Sequence, residues 1–505
     1  MWRKVFSERH RCPDSALDLY RLSAETAAAS ITGFASFKGG KTSTKAQISG
    51  AGSRSSTTVL IICLTAALAG LMTGMDIGVI SGAVQFIQHD FHVSDLVIEH
   101  IVSWMMLGAV AGAAASGWLS STLGRKRSML LGSLIFAAAS ALCGLAWSVE
   151  VLLAGRLILG VSLGILSFIA PLYLAEIAPE NIRGSMVALY QIMMTIGILL
   201  AFLSDTVFSY SANWHWMLGV IGIPAALAFL CMLSLPESPR WLMMRGRNEE
   251  AAAVLMRVRD SLETVKRETE EITAQLKIPQ RGWHMFLENR NFRRSIGLGV
   301  LLQIVQQLTG INVVMYYAPR IFQNMGYRTE AQLWFTAAVG LVNVLATLIA
   351  FALVDRLGRK PLLYTGFAIM AAGLSFVGTM MHLGIHTEAW RLASVGMLLL
   401  FIVGFAMSAG PVINLLTAEI QPIKGRSFGI AVSMVTNWGG NFVVDLTFLS
   451  LLASFGQART FWLYAGFNAL FLLFTFFLIP ETKNVTLEHI ERNLMAGEPL
   501  RRLGQ

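Results

Sequence analysis

Stretches of about twenty apolar residues alternate with short polar connections from about residue 58 to residue 479. A helix rises about 1.5 Å per residue, so each stretch is long enough to cross about 30 Å of hydrocarbon. The pattern predicts twelve spanning helices at 58–83, 97–121, 128–147, 151–175, 185–207, 215–235, 294–318, 331–354, 361–382, 390–418, 427–453 and 459–479. Several are broken by Gly or Pro, which a helical bundle tolerates where the freed backbone finds partners or lines a cavity. The polar stretch 236–293 sets six spans apart from six. Within it, Glu249 to Leu276 places Leu and Val at helical spacing among Glu, Lys and Arg. That predicts short amphipathic helices bridging the halves, a plain solvated linker being the other reading. The division is therefore an extension at 1–56, a six-helix bundle at 57–235, the linker at 236–293, a second bundle at 294–480 and a tail at 481–505.

The two halves repeat each other. AEIAPENIR, from Ala175 to Arg183, returns as AEIQPIKGR, from Ala418 to Arg426. LGRKR at Leu123 returns as LGRKP at Leu357, and PESPR at Pro236 as PETK at Pro480. Repeated phrases in corresponding places imply a duplicated, pseudo-symmetric all-α membrane fold. Such folds are usually transporters, with the binding site at the seam between halves.

Composition agrees with this class. The 505 residues are 55% hydrophobic and only 14% charged, with mean hydropathy +0.60. A soluble chain carries charge on about a quarter of its residues. The 45 glycines and 24 methionines suit close helix packing and irregular apolar gaps. Cys12, Cys63, Cys143 and Cys231 are scattered, which suggests neither a disulfide framework nor a zinc site. No nucleotide loop, metal-ligand cluster or nucleophile–base set is present, so the sequence points away from an enzyme and toward a chain without cofactor or metal.

Net charge is +9. Basic residues gather after alternate spans: Arg125, Lys126 and Arg127, then Arg183, then Arg356, Arg359 and Lys360, then Lys424 and Arg426. The positive-inside rule places those loops, both termini and the linker in the cytoplasm, and it explains the charge without a nucleic-acid partner. No cleavable signal peptide is evident. The extension is rich in Ser, Thr and Ala and predicts disorder. Glu8, Asp14, Asp18 and Glu25 argue against an organelle-targeting segment.

Ionisable groups inside spans are expensive and are expected to be paired and functional. Asp76 lies in the first span and Arg156 near the start of the fourth, and each is the natural neutralising partner of the other. Burial and a movable arginine act in opposite directions on a carboxyl's proton, so the pair is a candidate proton switch. A static ion pair is the other reading. Glu176 and Glu419 end spans four and ten, each seven residues before an arginine, Arg183 and Arg426. With Arg125 and Arg359 they are expected to form salt bridges between the halves that close the cytoplasmic side, although positive-inside topology alone also puts basic residues there. Amides cluster as well: Gln191, Gln303, Gln306, Gln307, Asn312, Asn343, Asn414, Asn437 and Asn441, with Trp438 among them. Amides offer donors and acceptors without charge, which suits a neutral polyhydroxylated ligand. Helix–helix hydrogen bonding is the alternative.

The signatures GRKR at Gly124, PESPRWL at Pro236, QQLTGINVVMYYAP at Gln306, VDRLGRKP at Val354 and PETKNVTLEHIE at Pro480 make the chain resemble the sugar-porter family of the major facilitator superfamily. Within it, MLGVIGIP, FIVGFAMSAGP and ETKNVTLEHIERNLMAGE are similar to bacterial galactose– and arabinose–proton symporters. The resemblance implies proton-coupled uptake of a neutral monosaccharide by a monomer in the bacterial inner membrane. It implies that Asp76 is the proton-coupling carboxylate and Arg156 its partner. It puts Gln191, Gln306, Gln307, Asn312, Asn343 and Trp438 against the sugar. It assigns gating to Glu176, Arg183, Glu419 and Arg426, with Arg125, Glu237, Arg240, Arg359 and Glu481 in the same network. Asn414 stands where the family usually carries a tryptophan that stacks on the sugar, and Ser121 where the superfamily often has Asp. The extension has no counterpart in these relatives. A passive facilitator or a non-transporting sugar sensor are the alternatives. The aspartate at position 76 argues against the first and the short tail against the second.

Overall fold

Each of the twelve apolar stretches is a helix. The computed structural model describes residues 44–277, 282–384 and 387–505. Its spans 1 to 6 are Thr57–Phe91, Asp95–Leu123, Arg125–Gly144, Val149–Ile177, Glu180–Ser209 and Trp214–Met232. Spans 7 to 12 are Arg290–Asn324, Thr329–Val354, Arg359–Leu383, Glu388–Glu419, Ile423–Phe455 and Gln457–Phe477. Each starts a few residues before its apolar stretch because a helix begins at its cap, among polar positions. Span 4, for example, starts where the Ser148 hydroxyl accepts from the Val151 N–H. Residues 1–43 of the expected extension lie outside the described residues, and Thr44–Phe91 is one continuous helix.

Close helix crossings rest on missing side chains. Gly160 in span 4 lies against the Met105 carbonyl of span 2, and Gly74 in span 1 against the Met194 carbonyl of span 5. At both, a Cβ would sit far inside van der Waals contact with backbone. In lipid there is little hydrophobic drive between helices, so such close approach carries much of the association. Leu230, Leu345, Ile349 and Leu473 within the spans are exposed, as lipid-facing side chains must be.

Two spans of the second half are interrupted. Span 7 consists of Arg290–Leu308 and Ile311–Asn324, joined at Gly310, whose φ of 88° is open to glycine. The Thr309 carbonyl freed at this break accepts from Asn468 Nδ2 at 3.0 Å. Span 10 consists of Glu388–Met407 and Ala409–Glu419, broken at Ser408. Both breaks free backbone groups within the bundle.

The linker is helical. It holds helices Pro239–Met244, Asn248–Val258, Leu262–Leu276 and Gly282–Glu288. Leu255, Val258 and Val265 are buried. Arg259 binds both oxygens of Glu268 at 2.5 and 2.6 Å and donates to the Ile177 carbonyl at 2.8 Å, which ties the linker to the end of span 4. A last helix, Leu487–Met495, was not anticipated. Its signal was present: Thr486 caps it, and Ile490 and Leu494 pack with Leu503.

Side-chain bonds across the seam between halves gather toward the end opposite the linker. There Arg320 meets Asp95 at 3.3 Å and the Tyr210 hydroxyl donates to Glu330 at 3.3 Å. Deeper in, Glu99 of span 2 accepts from Ser450 N–H and hydroxyl of span 11, both at 2.7 Å. At the linker end, Arg183 and Asn414 are exposed. The seam is thus bridged by side-chain bonds at the far end.

Replacing Gly160 with Leu is expected to lower the melting temperature of the detergent-solubilised protein by several degrees, an overpacking cost of about 1–3 kcal/mol. Gly117→Ala, at a site with nothing within 4 Å of a new Cβ, should leave it unchanged.

Candidate functional site

Asp76 and Arg156 meet as expected. Arg156 Nη1 donates to Asp76 Oδ1 at 3.0 Å, and neither side chain has any exposure. Arg156 Nε adds a bond to the Ile101 carbonyl at 3.3 Å. Asp76 Oδ2 and Arg156 Nη2 are buried with no hydrogen-bond partner. The pair is thus single-stranded rather than a two-bond fork, and each side keeps a free atom for another arrangement.

Three more buried acids escaped the sequence reading. Glu99 is held twice by Ser450, as described. Asp205 Oδ2 in span 5 accepts from the Gly82 N–H of span 1 at 3.0 Å. Asp445 in span 11 is fully buried, and neither of its carboxyl oxygens has a partner. The criterion that singles out Asp76, a lone acid inside an apolar run, applies equally to these three.

Spans 7, 10 and 11 bring several of the amides together. Asn437 Nδ2 donates to Gln303 Oε1 at 2.6 Å and to Gln306 Oε1 at 2.7 Å. Gln303 Nε2 reaches Thr417 at 3.1 Å and Asn414 at 3.4 Å. Gln306 Nε2 donates to the Ala409 and Gly410 carbonyls at 2.9 and 3.2 Å, at the break in span 10. Gln307 and Asn312 bind each other. Gln191 is half-buried on span 5 and Asn343 buried on span 8, and neither is hydrogen-bonded to this network. Some amides therefore do hold helices together, as the alternative reading had it. Trp438 does not: its indole Nε1 is buried without an acceptor. A desolvated N–H left unpaired costs about 1–3 kcal/mol.

The repeated phrases build two matching knots at the linker end. Arg125 binds both oxygens of Glu176 at 2.8 Å. Glu237 accepts from the N–H groups of Arg125 and Lys126 at 2.9 and 3.0 Å. In the second half Arg359 binds Glu419 at 2.9 Å, and Glu481 accepts from the N–H groups of Arg359 and Lys360 at 3.1 and 2.9 Å. Gly124 and Gly358, with φ of 95° and 93°, turn the chain into each knot. The glutamates thus cap the free N–H groups opening spans 3 and 9. The salt bridges were expected between halves, and they form within each half instead. The reason is local: the cap and the carboxylate that ends span 4 or 10 lie on neighbouring helices of one bundle. Arg183 is exposed, Arg240 is half-buried, and Arg426 donates to the Gln421 carbonyl at 3.3 Å.

Residues 62–494 match the family described as "Sugar (and other) transporter". The galactose-proton symporter of Escherichia coli K12 is 56% identical over 444 residues, which cover 88% of this chain and 96% of that protein. The arabinose-proton symporter of the same strain is 51% identical over 449 residues, covering 88% and 95%. Among solved structures, the partially occluded inward-open conformation of the E. coli xylose transporter XylE superimposes with a TM-score of 0.74. It shares 29% identity and covers 85% of this chain and 100% of that one. The chain belongs to the sugar transporters of the major facilitator superfamily. The twelve spans make this sugar transporter a multi-pass membrane protein.

Removing one member of a buried pair strands the other, at about 3–5 kcal/mol. Arg156→Ala should therefore lower the melting temperature well beyond Gly117→Ala. The double variant Asp76→Asn with Arg156→Gln, which leaves two neutral polar groups, should recover most of that loss.

Proposed function

We propose that this transporter carries a neutral monosaccharide, such as galactose or arabinose, inward together with a proton by alternating access. The two symporters at 56% and 51% identity support the substrate class and the coupling. The observation that carries the reading is the fully buried Asp76–Arg156 pair, held by one hydrogen bond with an unpartnered atom on each side. Protonating Asp76 removes the charge that Arg156 neutralises, and the bond loses its electrostatic part. Spans 1 and 4 can then shift, so proton occupancy biases which end of the seam is open.

The sugar sits between halves near the membrane midplane. Gln306, Gln307 and Asn312 offer donors and acceptors to its hydroxyls, as do Gln191 and Asn343 from spans 5 and 8. Trp438 contributes its ring face and its unpartnered N–H. Asn414 at the usual tryptophan position supplies a hydrogen-bonding amide where relatives stack a ring, which shifts preference among sugars. Glu176, Arg183, Glu237, Arg240, Arg359, Glu419, Arg426, Glu481 and Arg125 form the inner gate. Their bonds lie within each half, and closing the linker end brings the two knots together. No covalent step and no cofactor enter the cycle, and the proton is the coupling ion. The protein acts as a monomer in the bacterial cytoplasmic membrane with both termini inside.

Asp76→Asn should abolish uphill uptake and sugar-driven alkalinisation in vesicles, while counterflow exchange of labelled sugar survives. Unchanged uphill uptake in that variant would overturn the assignment. Wild-type accumulation that persists after the proton gradient is collapsed would favour a passive facilitator.

A further inference from the structure

Among the buried acids of the described residues, Asp445 stands apart because neither of its carboxyl oxygens has a partner. It lies mid-way along span 11, one turn beyond Asn441, whose Nδ2 reaches Met106 Sδ of span 2 at 3.1 Å, and before Ser450, which binds Glu99. It thus belongs to the second half but sits on the face of span 11 that meets the first. Its side chain has no exposure, and both Oδ1 and Oδ2 lack a hydrogen-bond donor. The Tyr317 hydroxyl beside it donates to the Asp445 backbone carbonyl at 3.3 Å, not to the carboxyl. The ionisable groups that interact electrostatically with it are Arg156 of span 4, Tyr316 and Tyr317 of span 7, and Tyr464 of span 12; Asp76 is bound to Arg156, and Glu99 to Ser450 further along span 11. Only Arg156 among them is a cation.

The other two acids are held by donors, although Asp205 keeps Oδ1 unpartnered. Glu99 takes two hydrogen bonds from Ser450, and Asp205 takes one from Gly82. An ionised carboxylate with no donor and no exposure is not sustained in a protein interior. Arg156 can neutralise one carboxylate at a time, and here it is bound to Asp76, with Nη2 left over.

We infer that Asp445 is a second proton-binding carboxyl of the transporter, which holds its proton while Arg156 is paired with Asp76 and exchanges it when Arg156 turns across the seam. While Arg156 is paired with Asp76 the charge balance is Asp76 ionised, Arg156 cationic and Asp445 neutral. In the alternative the Asp445 O–H bond breaks, its proton leaves to water or passes to Asp76, and Arg156 binds the new carboxylate. The acids lie in opposite halves, so rocking of the halves changes which one the arginine can reach. This rests on the proton-coupled reading above.

Uphill sugar uptake against external pH, in vesicles of wild type and Asp445→Asn, tests it, with counterflow as the measure of a folded protein. With Arg156 left to Asp76 alone, the pH of half-maximal uptake should move down by about one unit while counterflow stays intact. An unchanged profile with intact counterflow overturns the inference while leaving proton coupling untouched. Wild-type uptake indifferent to the proton gradient sinks the underlying reading instead. Should Asp445→Asn lose counterflow, the wild-type protein decides. A hydrophobic carbodiimide, which attacks protonated carboxyls in membranes, should label Asp445 at neutral pH and spare Asp76. Absence of label on Asp445 overturns the inference.

Discussion

A carboxylate and a guanidinium with no access to water must hold each other or not be there at all. Moving each ion from water to the interior costs several kcal/mol even after relaxation, and their attraction repays that only while the pair stays intact. Asp76 and Arg156 are therefore a constraint rather than a source of stability. They fix span 1 against span 4 for as long as both are charged, through a bond of 3.0 Å. A proton is the smallest ligand able to undo that constraint, because it changes the cost of separating the two side chains by more than thermal energy. The glycine crossings and the bridged far end of the seam set the stage on which this one contact is made or released.

The rest of the molecule is built to move as two stiff parts. Each half carries a knot of arginine, two glutamates and a helix N-terminus, and the two knots match almost bond for bond: Arg125–Glu176 at 2.8 Å and Arg359–Glu419 at 2.9 Å. These bonds do not cross the seam, so motion of one half against the other leaves them unbroken. Spans 2 and 11 and spans 5 and 8 pack against each other across the seam, and the ion pair and hydrogen bonds of Arg320 and Tyr210 cross it toward the far end. The polar network of Gln303, Gln306 and Asn437 sits beside the breaks in spans 7 and 10, where freed backbone carbonyls already demand donors. Ligand hydroxyls can compete for such groups at little cost, since one hydrogen bond replaces another.

Much of this was legible in the chain. Twelve spans, the linker helices and the Asp76–Arg156 pair follow from apolar run lengths and from the expense of intramembrane charge, and both rules act locally on sequence. The partners of Glu176 and Glu419 did not follow. Sequence shows that Arg183 and Arg426 lie nearby along the chain, but the carboxylates choose Arg125 and Arg359 on neighbouring helices, a choice made by packing. Asp445 was visible as a lone acid in an apolar run. What sequence does not reveal is that Glu99 finds Ser450 and Asp205 finds Gly82 while Asp445 finds nothing. Which amides bind neighbouring helices also depends on which helices meet.

The central claim is that the Asp76 carboxyl changes charge as the seam changes shape. Infrared difference spectroscopy reads this directly. The protein is locked at the far end of the seam by a reducible bifunctional thiol crosslinker between cysteines replacing Asp95 and Arg320, whose side chains meet across the seam, then released by reduction in the presence of sugar. The account predicts a protonated-carboxyl band that changes on release and is lost from the difference spectrum when Asp76→Asn is added. A difference spectrum that Asp76→Asn leaves unaltered would contradict it.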